Sequence, residues 1–251
     1  ASGTYLINDL LDLDADRSHP RKRHRPFANG ELPFRYGLFG PLLIATALGT
    51  TLSVSMGVVM TLLAYTALSL LYSYQLKKIP LVDVFCLAAL YVLRVIAGGV
   101  SSGSYASVWL LNFSGFLFIS LGFLKRYAEF SQSEADHPSD TNHRGYARSD
   151  TLLLSMMGIG SSFVSSMVLG LYINSTQAYS AYRAPALLWG LVPLVLFWQC
   201  RMWFAAIRGH MTDDPIIYAA RDRFSHLVAV FIILIYFLAS ADLDLGILTR
   251  R

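Results

Sequence analysis

YGLFGPLLIATALGTTLSVSMGVVMTLLAYTALSLLYSYQL, residues Tyr36 to Leu76, runs for 41 positions without an Asp, Glu, Lys or Arg. A hydrocarbon core about 30 Å thick needs roughly 20 apolar residues per helix. This run therefore holds two crossing helices, with a turn near Ser53-Val54-Ser55-Met56-Gly57. Working outward, further apolar runs predict spans over Leu81 to Val100, Ser107 to Leu124, Thr151 to Tyr172, Ala184 to Cys200 and Leu227 to Ala241. Ala1 to Ile7 reads as the exit of one more. The expectation is an all-α polytopic transmembrane bundle, a single domain over residues 1–251, with seven complete spans plus the end of an eighth. The chain opens at Ala1-Ser2-Gly3 without a basic stretch and apolar core of signal-peptide type, so an N-terminally shortened chain is expected.

Composition supports this class. Hydrophobic residues make up 55% of the chain and charged residues only 14%, where a soluble domain carries roughly 25%. Mean hydropathy is +0.48. A soluble enzyme, a disordered protein and a disulfide scaffold are excluded; Cys86 and Cys200 both sit in apolar runs, far apart in sequence. The net charge of +4 needs no nucleic acid to explain it. If the loop after Ile7 is cytoplasmic and the spans alternate, 16 of the 20 basic residues fall on the inner side, and Arg183, Arg250 and Arg251 on the outer. That is the bias that orients membrane proteins, and it places the polar loops in the cytoplasm.

Those loops carry the chemistry. Asn8-Asp9-Leu10-Leu11-Asp12-Leu13-Asp14-Ala15-Asp16-Arg17 puts Asp9, Asp12 and Asp16 within about 60° of one another on a helix, with Asp14 about 140° away. Three carboxylates on one stripe repel unless a cation sits among them, and hard oxygen donors suit Mg2+ bridging to substrate phosphates. Lys22, Arg23 and Arg25 follow and could neutralise the same phosphates. An EF-hand reading of Asp12, Asp14 and Asp16 fails, because Arg17 stands where glycine is required and Arg23 where the bidentate Glu is required. A solvated acidic helix end is the plain alternative, although carboxylates beside a span are costly and usually functional.

A second segment, Asp213-Asp214-Pro215 to Tyr218 and on to Arg221-Asp222-Arg223, begins with a natural helix cap, since Pro215 fits the first helical position after Asp214. Tyr218 and Arg221 share the face of Asp214, a stripe that could hold a metal or a phosphate. Tyr72, Lys77 and Lys78 close one span, Arg94 interrupts the next, and Lys125-Arg126-Tyr127-Ala128-Glu129 closes a third. For Lys77, Lys78, Lys125 and Arg126 the plain alternative is interfacial snorkelling, and Lys125 with Glu129 could be a simple i,i+4 pair. Gly158-Ile159-Gly160 lacks the third glycine of a dinucleotide loop. His137 and His143 read as solvated loop residues.

Asn8-Asp9-x-x-Asp12-x-x-x-Asp16 resembles the first aspartate motif of the UbiA-type intramembrane prenyltransferases. His19-Pro20-x-Lys22-Arg23-x-Arg25-Pro26, Gly30, Tyr72-Ser73 with Lys77, and Arg94 with Gly98-Gly99 extend the resemblance over essentially the whole chain. It implies a helical bundle of nine spans around a cavity open toward lipid, of which this chain lacks the first and most of the second. The second motif departs from the usual DxxxD, since Asp214 and Asp222 are eight apart. Its Arg-Asp-Arg ending, with Lys125-Arg126-Tyr127-Ala128-Glu129, is similar to the decaprenyl-phosphate phosphoribosyltransferase branch.

The resemblance implies a Mg2+-dependent transferase of a bacterial plasma membrane. Its donor would be 5-phosphoribosyl diphosphate and its acceptor a polyprenyl phosphate. Asp9, Asp12 and Asp16 would hold the metal, with Asn8 assisting. Lys22, Arg23, Arg25, Tyr72, Lys77, Arg94, Lys125, Arg126, Tyr218 and Arg221 are the substrate-binding candidates. Asp214 and Asp222 would complete the cation site or orient the ribose hydroxyls, and Asp222 joins the three motif aspartates as a catalytic candidate. The partners expected are an isoprenoid lipid, a diphosphate donor and the bilayer, with no nucleic acid; a homo-oligomer is compatible with this. Two other readings stand beside it: an aromatic prenyltransferase using the same first motif, and a non-enzymatic polytopic lipid-binding protein.

Overall fold

The computed structural model describes residues 2–18, 22–52, 55–136, 145–147, 149–211 and 214–241, and every extended regular element among them is helical. The chain forms two compact units, residues 1–106 and 107–251.

In the first unit α1 (Ser2–Leu11) runs almost directly into α2 (Leu13–Ser18). The backbone bonds Asp12 N to Asn8 O (2.9 Å) and Asp16 N to Asp12 O (2.7 Å) carry the helical path across the junction. A 3-10 turn over Lys22–His24 and another over Phe34–Leu38 lead to α3 (Phe39–Thr51), α4 (Met56–Tyr74) and α5 (Val82–Ser101). α1 crosses α3 at two glycines. A Cβ on Gly3 would lie 2.6 Å from the Gly40 carbonyl oxygen, and one on Gly40 would lie 3.0 Å from that of Gly3. Only residues without side chains allow backbones this close, the usual device for packing helices in lipid.

The second unit comprises α6 (Val108–Asp136), α7 (Asp150–Ile173), α8 (Thr176–Ala181), α9 (Leu191–Ile207), α10 (Pro215–Arg221) and α11 (Arg223–Ser240). Its interior is polar in places, because oil between helices supplies no hydrophobic driving force and hydrogen bonds hold helices together instead. The Ser120 and Ser162 hydroxyls lie 2.7 Å apart, and Trp203 Nε1 donates to Ser120 Oγ at 3.2 Å. Gln199 Nε2 donates to Ser165 Oγ (3.0 Å) and Ser166 Oγ (3.3 Å). The Trp203 ring fills a notch on α7 left by Gly158, where a Cβ would stand 2.1 Å from Trp203 Cζ2 and 2.9 Å from Phe123 Cβ.

Six helices among the described residues are long and apolar enough to cross a membrane. They coincide with six of the seven spans expected. The first half of the Tyr36–Leu76 run is taken by α3, 13 residues long, and residues 53–54 after it lie outside the described residues. The tighter 3-10 turn Phe34–Leu38 occupies the residues before it. In each of the six spans only 17% to 33% of residues are buried. So much uncovered apolar surface is incompatible with water and fits lipid. The chain is an integral membrane protein.

Candidate active site

The first unit gathers the expected stripe. The continuous path of α1 and α2 puts Asp9, Asp12 and Asp16 on one face, and Asp14 points away and is exposed, as the helical period requires. Asn8 Nδ2 donates to Asp12 Oδ2 at 3.1 Å. Arg25 uses one nitrogen, Nη1, for both Asp9 Oδ1 (2.9 Å) and Asp16 Oδ2 (2.8 Å). Lys77, on the 3-10 turn Leu76–Lys78 that ends α4, pairs with Asp12 Oδ1. Asp16 is 3% exposed, and Arg25 is the partner that compensates its burial. Burial pushes the Asp9 carboxyl above its ordinary value; Arg25 pulls it down, and the Asp16 and Asp12 charges push it up again.

The turn carrying Arg25 is fastened by Arg17, whose Nε donates to the Ala28 carbonyl at 3.3 Å. Arg23 is exposed beside His24. Lys22 sits in the same 3-10 turn, but its side chain lies outside the described residues, as do His19, Pro20, His137 and His143. Tyr72 is half-buried in the last turn of α4. The two lysines of that turn part company: Lys77 is drawn to Asp12 and Lys78 is exposed.

Arg94 lies in the membrane span of α5. Its Nη2 donates to the Tyr65 hydroxyl at 2.7 Å, and its guanidinium stacks 5.2 Å from the Tyr65 ring centre and 4.9 Å from that of Tyr91. Two aromatic faces and a phenol hold a charge that lipid would otherwise expel.

In the second unit Lys125, near the end of the apolar part of α6, pairs with Asp214 Oδ2. Asp214 Oδ1 meanwhile accepts from Ile216 N at 3.0 Å, so the cap expected at Pro215 and the charged contact coexist in one carboxylate. The alternative Lys125–Glu129 pair is not found among the described residues: Glu129 pairs with Arg126, three residues away on the helix. Arg126 is 1% exposed, buried within the protein rather than snorkelling. Tyr218 is half-buried and Arg221 is exposed.

Asp222 has both oxygens engaged. Oδ1 accepts from Arg201 Nη2 at 2.8 Å; Oδ2 accepts from Ser225 N and Ser225 Oγ, each at 2.9 Å, capping α11. Sequence reasoning missed Arg201, counting it only among inner-loop charges. The available signal was a basic residue inside the helical run Trp198-Gln199-Cys200-Arg201-Met202-Trp203, where a charge needs a partner.

Chemically, the aspartate stripe is a set of hard oxygen donors converging on cations. Two of its three carboxylates meet at a single guanidinium nitrogen. The donor set therefore fits Mg2+. Among the described residues, no three acidic, His or Cys side chains are gathered to ligate one ion; each motif aspartate is drawn to a basic side chain instead.

Comparison with known proteins adds the following. The UbiA prenyltransferase family profile matches residues 1–220. The uncharacterized protein y4nM of Sinorhizobium fredii is 36% identical over 92% of this chain, and the chain spans 45% of that protein's length. Nodulation protein NoeC of Azorhizobium caulinodans is 33% identical over 92% of the chain and 75% of the relative. A decaprenyl-phosphate phosphoribosyltransferase of Mycobacterium tuberculosis is 29% identical over 92% of the chain and 74% of the relative. Among solved structures, a UbiA homolog from Archaeoglobus fulgidus bound to GPP and Mg2+ superposes with a TM-score of 0.69 at 17% identity, covering 96% of this chain and 83% of that one.

Proposed function

The chain belongs to the UbiA prenyltransferase family, and from that premise we propose that it transfers 5-phosphoribose from 5-phosphoribosyl diphosphate to a polyprenyl phosphate within a bacterial plasma membrane, its polar loops on the cytoplasmic side. The observation that carries this reading is the convergence of Asp9, Asp12 and Asp16 with Arg25 and Lys77. The phosphoribosyltransferase relative aligned over 92% of the chain supports the choice of donor.

Asp9, Asp12 and Asp16 are the residues that would hold Mg2+, with Asn8 orienting Asp12. Held there, the ion would supply positive charge to offset that of the donor diphosphate. A lipid phosphate oxygen forms the new bond to the anomeric carbon, and the bond from that carbon to the diphosphate oxygen breaks. Diphosphate leaves with both bonding electrons. Its growing charge is met by fixed cations, the arrangement that contributes most to catalysis of such steps. Lys22, Arg23, Arg25, Lys77 and Arg94 are the cations proposed for this work, with Tyr72 beside the substrates; in the second unit Lys125 and Tyr218 are proposed as substrate-binding residues. Arg126, being buried, is proposed to support α6 rather than touch phosphate.

Arg25 has a particular place in this scheme. Its pairing with Asp9 and Asp16 competes with the metal. Arg25→Gln is expected to raise Mn2+ affinity, measured by electron paramagnetic resonance without donor, by about fivefold to tenfold, and to raise the donor KM by a similar factor. Weaker Mn2+ binding in this variant would show that the arginine supports the metal site instead.

The deciding experiment presents the purified protein in nanodiscs with labelled 5-phosphoribosyl diphosphate and a polyprenyl phosphate, with Mg2+ or with EDTA. Mg2+-dependent label in the lipid phase is expected. Turnover of geranyl diphosphate with an aromatic acid, and none of the phosphoribosyl donor, would replace this reading with aromatic prenyl transfer.

A further inference from the structure

Four side chains within one and a half turns of α9 each reach a different target. Trp198 Nε1 donates to Ser225 Oγ (3.0 Å), Gln199 to Ser165 and Ser166 on α7, Arg201 to Asp222 (2.8 Å), and Trp203 to Ser120 on α6. Two of these, Trp198 and Arg201, converge on the start of α11. Arg201 also lays its guanidinium over the Phe224 ring at 4.3 Å. The Asp222 side chain is 12% exposed and that of Arg201 26%, so little water competes for the pair.

An aspartate in this state has no oxygen to spare. One takes the guanidinium, and the other takes an amide and a hydroxyl of Ser225. Arg221 and Arg223 flank it, and both are exposed. No ion pair of either is found among the described residues. Asp222 is the one residue between α10 and α11, so its anchoring sets where both arginines stand.

The geometry points to Arg201 and Trp198 as positioning residues that clasp the Arg221-Asp222-Arg223 turn. Asp222 serves as the anchored member, and Arg221 and Arg223 are held exposed on either side of it as cations for a substrate phosphate. This rests on the diphosphate-donor reading above and moves Asp222 from catalysis to positioning.

The test compares wild type, Arg201→Gln, Arg201→Lys and Asp222→Asn in nanodiscs, reading donor KM, kcat, Mn2+ affinity and Tm. Arg201→Gln is expected to raise donor KM about tenfold with kcat within about threefold, because a charge-assisted clasp is lost and the reacting groups are not. Arg201→Lys keeps the charge and is expected to recover most of that KM. Asp222→Asn is expected to leave Mn2+ affinity within about twofold, where loss of a metal ligand or its support would cost about tenfold or more. A hundredfold fall in kcat at unchanged KM in Asp222→Asn would put this carboxylate at the reacting atoms. A tenfold loss of Mn2+ affinity in that variant would make it a metal ligand, and a lower Tm with donor KM unchanged in Arg201→Gln would make the clasp purely structural. Each of these three results overturns the inference. If wild type turns over geranyl diphosphate instead of the phosphoribosyl donor, only the donor assignment fails. The same KM comparison on geranyl diphosphate then decides the clasp.

Discussion

Asp12→Asn is expected to lower kcat by about a thousandfold while leaving the helical circular dichroism unchanged. Asp12 is the middle member of the stripe, shared by Lys77 and Asn8. Asparagine has the same shape and keeps an acceptor oxygen for Lys77, so the helix is expected to hold. The chemistry loses a full negative charge from the set proposed to hold the metal. Removing one preorganised electrostatic contact typically costs about 10²- to 10³-fold, and a motif carboxylate belongs at the upper end. Asp14→Asn is the control: Asp14 is exposed and off the stripe, and its kcat should stay within about twofold. An Asp12→Asn enzyme within about tenfold of wild type would remove the stripe from the mechanism.

Gly158→Ala is expected to give the largest loss of stability of any single methyl addition in the second unit. The new Cβ would stand 2.1 and 2.6 Å from two Trp203 ring carbons and 2.9 Å from Phe123 Cβ. The indole cannot swing aside freely, because its Nε1 is bonded to Ser120 and its ring meets Tyr127 edge-on at 5.9 Å. Overpacking of this kind costs about 1–3 kcal/mol and occasionally more. With three elements wedged apart we expect about 3 kcal/mol, seen as a Tm lowered by roughly 5–10 °C in detergent. Gly160→Ala, two residues along the same helix, meets nothing within 4 Å, and its Tm should not fall. Combining Gly158→Ala with Trp203→Leu should cost less than the sum of the two, since the second change empties the space the first invades. Additive losses would place the strain elsewhere.

The sequence disclosed what obeys local periodicity. The separation of Asp14 from Asp9, Asp12 and Asp16 follows from 100° per residue alone, and the Asp214–Pro215 cap from the needs of a helix start. Most long-range pairing had no such signature. Lys77 meets Asp12 from 65 residues away and Lys125 meets Asp214 from 89. Nothing in either neighbourhood distinguishes those lysines from Lys78 or Arg126, which end exposed and buried. Arg201 was overlooked because a single charge at the end of an apolar run was counted as loop, when it lies inside α9.

The pairing of the motif aspartates with Arg25 and Lys77 has a consequence for how the molecule is made. A stripe of bare carboxylates beside a bilayer would resist insertion and would hold the chain open until an ion arrived. Arg25 and Lys77 offset two of the three stripe charges from within the chain. Assembly in the membrane is therefore expected not to wait for a metal, and purified material is expected to keep its helical circular dichroism through dialysis against a chelator.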